Sequence, residues 1–127
     1  MAQLNVIGVG IDAVDVERFR QVLQRTPSLR TRVFTPAELA YADAATDPIE
    51  RLAVRWAAKE ATMKALGVGL GGFAMREAEV VVAPSGAPSL VLVGAALERA
   101  NQVGATGFLL SMTHTAITAQ AIVLAVV

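Results

Sequence analysis

One long helix with a marked start and stop constrains this chain more than any other feature. Asp47-Pro48-Ile49-Glu50 has the form of a capping box, with Asp as the cap and proline at the first helical position. The pattern then runs from about Pro48 to Leu66 and stops at Gly67. Arg51, Arg55 and Lys59 fall at i, i+4 and i+8 and make a basic stripe, while Trp56, Glu60 and Lys64 make a second row about 100° around the helix. A Glu followed four residues later by Lys is ordinarily a solvated pair worth a few tenths of a kcal/mol. Trp56 on the same row argues against that reading, because an indole draws its row toward a partly buried wall.

The other elements are arranged around this helix. Leu4 to Ile11 is a nearly continuous apolar run, as in a buried strand, and it ends in Gly8-Val9-Gly10-Ile11-Asp12. Asp15 is the expected N-cap of a helix that places Val16, Phe19, Val22 and Leu23 on one face. A helical turn follows Pro27, and Thr35-Pro36-Ala37-Glu38 is a second capping box. Gly67 to Gly72 reads as a flexible connection, and Glu77 to Val82 and Ser89 to Val93 as a hairpin about Pro84-Ser85-Gly86-Ala87-Pro88. Gly94 to Val103 reads as a helix closed by Gly104, and Thr106 to Met112 and Thr118 to Val127 as strands around a polar loop at 113–116. One strand, then helices, then mostly strands predicts an α+β fold, one domain spanning 1–127.

Composition narrows the function. Apolar residues make up 54% of the 127 residues and charged residues 17%, against typical values near 45–50% and about 25%, so subunit contact is the expected destination of surplus apolar surface. The most apolar stretch, Ala116 to Val127, is too short to cross a bilayer, which takes roughly 20 residues. Twenty-four alanines favour helix and close packing over lipid. Met-Ala-Gln-Leu-Asn lacks the basic start of a signal peptide, and the absence of cysteine removes disulfides, thiolate metal sites and thiol nucleophiles, so a cytoplasmic location is expected. Eleven basic against eleven acidic residues argue against nucleic-acid binding.

Three features have competing readings. Gly8-x-Gly10-x-x-Ala13 after a strand has the form of a dinucleotide-binding turn, against which stand too few parallel strands and Asp12 where a phosphate would approach; the alternative is tight packing. Asp12 is either a cap or a carboxylate paired or bound to metal. His114, the one histidine, is either a structural hydrogen-bonder or part of a site.

Taken together, Gly8-Val9-Gly10-Ile11-Asp12, Arg55-Trp56-Ala57-Ala58-Lys59-Glu60-Ala61-x-x-Lys64-Ala65, Gly86-x-Pro88 and Ser111-x-x-His114-Thr115 resemble the 4'-phosphopantetheinyl transferases, in their small holo-acyl-carrier-protein synthase branch. The resemblance covers nearly the whole chain. It implies a small antiparallel sheet with a long central helix, a homotrimer with interfacial sites, and transfer of the phosphopantetheine arm of coenzyme A to a serine of apo acyl carrier protein, in fatty acid or polyketide synthesis. It also implies Mg²⁺, or Mn²⁺, on Asp12 and Glu60, catalytic roles for Glu60 and Lys64, and coenzyme contacts from Arg55, Lys59, Lys64, Gly86, Pro88 and His114. The acidic carrier is expected on the helix carrying Arg18 and Arg20. Two other functions compete: a non-catalytic carrier-docking protein of the same fold, and a dinucleotide-binding module.

Overall fold

The computed structural model describes residues 5–127; Leu4, assigned above to the first strand, lies outside them. The chain forms β1 (Val6–Asp15), α1 (Val16–Arg25), α2 (Leu29–Val33), α3 (Pro36–Asp43), α4 (Ile49–Ala65) and a 3-10 turn (Met75–Glu77). It continues through β2 (Ala78–Val82), β3 (Pro88–Leu92), α5 (Gly94–Val103), β4 (Gly107–His114) and β5 (Thr118–Val126). One antiparallel sheet has the order β1-β5-β4, and β2 and β3 form a separate antiparallel hairpin. This is the expected α+β arrangement of small antiparallel sheets about a long central helix.

The helix starts follow local chemistry, with one departure. Asp15 caps α1 by accepting from the backbone N–H of Arg18 at 2.8 Å, and Thr35 and Glu38 complete the capping box of α3. At α4 the expected box does not form. Pro48 is itself the N-cap, and Asp47 accepts from the Ile49 N–H at 3.1 Å. The Arg20 guanidinium grips both Asp47 oxygens at 3.1 and 2.6 Å, tying the helix start to α1, while Glu50 turns toward His114 instead of reaching back.

Inner and outer faces of the sheet differ sharply. On the inner face, Ala121, Val123 and Ala125 of β5 are buried with Ala57, Ala58, Ala61 and Ala65 of α4, and Ala119 with Leu52, Ala53 and Val54. A Cβ built on Gly8 would overlap the Ala65 carbonyl oxygen, and one on Gly10 that of Ala61. These glycines therefore let a helix backbone rest on a strand, and β1 is antiparallel to β5, so the dinucleotide-turn reading fails on both counts. The outer face corrects a second expectation: β1 is an edge strand, with Val9 55% and Ile11 60% exposed, beside exposed Leu109 and Ile122.

Three boundaries also shift. β1 runs past Ile11 to Asp15, so Asp12 lies within the strand, opposite Ala121. Thr115 closes a tight turn by accepting from the N–H groups of Ile117 and Thr118, both at 3.1 Å, so β4 extends to His114. Glu77 belongs to the 3-10 turn, where its carboxylate accepts from the N–H of Ala95 at the start of α5. Among the described residues, no helix is long and apolar enough to cross a membrane.

Gly10→Ala is expected to destabilise the fold by about 3 kcal/mol or more, because the clash is with backbone and rotamers cannot relieve it. Urea unfolding of the two proteins measures this.

Candidate active site

The approach of α4 to β1 places three charged side chains in one corner. Asp12 lies on the inner face of β1, and Glu60 and Lys64 sit one turn apart on α4. Lys64 Nζ donates to the Ile11 carbonyl at 2.9 Å and lies 3.3 Å from Asp12 Oδ1. The Trp56 indole N–H donates to Glu60 Oε1 at 2.5 Å. Among the described residues, Asp12 Oδ2 is buried without a hydrogen-bond partner, and a bare carboxylate oxygen in that position is costly unless something cationic reaches it.

Glu60 is held above the ordinary carboxylate range. Burial is the main cause, followed by the negative charge of Asp12, while the Trp56 hydrogen bond and Lys64 oppose the rise. Two carboxylates drawn together in this way suit a hard divalent cation, whose attraction replaces their mutual repulsion. Among the described residues no three His, Cys, Asp or Glu side chains converge as a ligand set. Asp12 and Glu60 are the two carboxylates that could hold an ion such as Mg²⁺, which takes one or two carboxylates and completes its octahedron from phosphates and water. The corner opens into a cleft of about 540 Å³ bordered by Arg18, Phe19 and Trp56.

A second cluster lies apart from the first. Arg51, Arg55, Gly86, Pro88, His114 and Tyr41 border a cleft of about 300 Å³. The Tyr41 ring carries two guanidinium groups, Arg51 at 4.4 Å and Arg55 at 4.5 Å. Arg55 is buried, its Nε has no partner among the described residues, and burial lowers its proton affinity with the Glu38 charge opposing. Such a pair of cations calls for an anion. His114 Nδ1 lies 3.0 Å from Glu50 Oε1 at the cleft edge, and Gly86, at φ 88°, makes the hairpin turn. Among the described residues, the two clefts share no lining side chain.

Lys59 belongs to neither cleft, which corrects its expected contact with coenzyme. Its side chain is 0% exposed, and Nζ donates to Glu38 Oε1 at 2.8 Å and to the carbonyls of Ala78 at 2.8 Å and Met75 at 3.2 Å. With three N–H groups and three acceptors, the ammonium has nothing left to offer a ligand. Glu38 Oε2 meanwhile accepts from the Val80 N–H, so the pair ties α3, α4 and β2 together. Arg20 is likewise engaged, with Glu17 and Asp47, whereas Arg18 borders the Asp12 and Glu60 cleft. Sequence patterning marks neither Tyr41 nor Glu38 as part of these arrangements. Glu38 carried a visible signal as the end of a capping box, and Tyr41 carried none.

The model of the 4'-phosphopantetheinyl transferase superfamily matches residues 8–120. The chain belongs to this superfamily. It is 44% identical over 120 residues to the holo-acyl-carrier-protein synthase of Streptomyces griseus subsp. griseus, covering 94% of this chain and 98% of that one. Its structure is similar to that of the Plasmodium yoelii holo-ACP-synthase, with a TM-score of 0.86, 27% identity and coverage of 98% of both chains. The Helicobacter pylori holo-acyl-carrier-protein synthase in complex with coenzyme A gives a TM-score of 0.81 at 27% identity, covering 92% of this chain and 98% of that one.

Two outcomes test this geometry. Lys59→Ala is expected to cost about 3–5 kcal/mol by stranding buried Glu38, measured by chemical unfolding, and Glu38→Gln combined with Lys59→Met to recover part of the loss. For Glu60, a raised folded-state pKa means that the native state binds more protons than the unfolded chain above the ordinary carboxylate range, so its contribution to stability declines as pH rises through that window. With chelator present, Glu60→Gln is expected to raise the melting temperature at neutral pH, and the gain to shrink toward pH 4.

Proposed function

We propose that this chain, as one domain over 1–127, transfers 4'-phosphopantetheine from coenzyme A to a serine of apo acyl carrier protein, releasing adenosine 3',5'-bisphosphate. The observation that carries the reading is the partnerless Asp12 Oδ2 beside Glu60 and Lys64. Asp12 and Glu60 would hold Mg²⁺, or Mn²⁺ in its place, which would neutralise phosphoryl charge when bound. The serine oxygen bonds to the β-phosphorus as the pyrophosphate P–O bond breaks, and the leaving bisphosphate keeps that bond's electron pair. Lys64, half exposed beside Asp12, stabilises the charge on the leaving group. Glu60, with its raised proton affinity, accepts the serine proton directly or through one water.

The second cluster, with Arg55, Gly86, Pro88 and His114, suits the adenine nucleotide and its phosphates. Because the two clefts are separate, one protomer supplies the Asp12 and Glu60 wall and its neighbour the Arg55 and His114 wall. The exposed apolar sheet face, with Val9, Ile11, Leu109 and Ile122, supports a homotrimer joined there. The acidic carrier docks on α1, where Arg18 borders the reacting corner and Arg25 lies further along; Arg20, held by Asp47, contributes less. A cytoplasmic location fits both substrates.

Incubation with coenzyme A, Mg²⁺ and apo carrier is expected to add one phosphopantetheine mass to the carrier serine, read by mass spectrometry. Glu60→Ala is expected to slow this about 10²-fold or more at equal folded protein. Coenzyme binding without transfer would overturn the enzymatic reading in favour of a docking protein. Ile11→Lys is expected to yield monomers in sedimentation and to lose activity, since each site would then lack its second wall.

A further inference from the structure

Each carboxylate of the candidate cation pair has one oxygen held by a donor and one left over. Lys64 lies 3.3 Å from Asp12 Oδ1, while Asp12 Oδ2 has no partner. Trp56 donates to Glu60 Oε1 at 2.5 Å, and among the described residues no donor engages Oε2. An indole nitrogen can only donate, so it competes for the carboxylate without being able to bind a cation. The indole is itself held in place: its ring packs edge-on against Phe19 at 5.6 Å and 61°, and Phe19 packs in turn on Phe34 at 6.4 Å and 87°. A row of edge-packed aromatic side chains thus ends in a hydrogen bond to the carboxylate beside Asp12.

We propose that Trp56 is a positioning residue for the cation site, its indole N–H fixing Glu60 Oε1 so that Oε2 and Asp12 Oδ2 are presented together. This rests on the reading of Asp12 and Glu60 as a cation-binding pair. It differs from a packing role, because packing needs the ring and positioning needs the N–H. Outer partners that orient a metal-binding side chain typically govern about 10–100-fold in affinity. Trp56 is also the only tryptophan in the chain, so its emission reports on the hydrogen bond it makes.

The test is Mn²⁺ binding in the presence of coenzyme A, read by the electron paramagnetic resonance of free Mn²⁺, on four proteins. These are the unaltered chain, Trp56→Phe, Glu60→Gln, and a chain carrying benzothienylalanine at position 56, which keeps the bicyclic shape without the N–H. Trp56→Phe and the benzothienyl protein are both expected to bind Mn²⁺ at least tenfold more weakly. The Mg²⁺ concentration for half-maximal transfer is expected to rise by the same factor, and the rate at saturating Mg²⁺ to fall by less. In the unaltered protein, Trp56 emission is expected to change with the same midpoint as Mn²⁺ binding. If the benzothienyl protein binds Mn²⁺ within twofold of the unaltered chain, the N–H has no positioning role and the proposal is overturned, whatever Trp56→Phe does. If the unaltered chain shows no saturable Mn²⁺ binding while Glu60→Gln behaves identically, the cation reading itself fails and takes this proposal with it.

Discussion

The contact on which the rest depends is the one between the α4 backbone and β1 at Gly8 and Gly10. Neither position can carry a Cβ without overlapping a helix carbonyl, and the facing helix surface is alanine at 61 and 65. A helix that packs through larger side chains stands about 8–10 Å from its neighbour; here the missing side chains let the backbones meet. Asp12, two residues beyond Gly10 on the same face, is thereby brought level with Glu60 and Lys64. The corner holding Asp12, Glu60 and Lys64 is a consequence of close packing, and the glycines that look like a ligand loop act by bringing carboxylates together.

Charge along α4 is then sorted by depth. Lys59 and Lys64 are the same residue type on one helix, yet the first lies in the core with Glu38 and the second, half exposed, reaches Asp12 and the Ile11 carbonyl. A buried ammonium is tolerable only when its desolvation is offset by close acceptors, and Lys59 has three. That network joins α3, α4 and β2, and therefore sets the hairpin bearing Gly86 and Pro88 relative to the helix bearing Arg55. Burial of Lys59 thus organises a cleft that Lys59 itself does not enter.

Two features remain unbalanced among the described residues: an apolar sheet face open to solvent and two charged clefts that share no lining side chain. The proposed trimer meets both needs with the same contacts. The apolar excess in the composition and the separation of the clefts are, in that reading, two expressions of one assembly.

Much of the architecture was legible in the residues, because it rests on short-range chemistry. The caps at Asp15 and Thr35, the stop at Gly67 and the hairpin about Gly86 each depend on neighbours within a few positions. The resemblance of the Lys-Glu-Ala-x-x-Lys run and its upstream Asp to the 4'-phosphopantetheinyl transferases likewise groups Asp12, Glu60 and Lys64. Exposure of β1, the box that fails at Asp47 and the burial of Lys59 were not legible. Periodicity records which residues share a face, whereas what covers that face is decided by segments distant in the chain: Arg20 for Asp47, Glu38 for Lys59, and nothing among the described residues for Val9 and Ile11. The sequence by itself determined the elements and the chemical groups available; the tertiary structure decided which of those groups were used up in the core and which were left free at a cleft, because desolvation depends on what lies across the fold and not on what lies next in the chain.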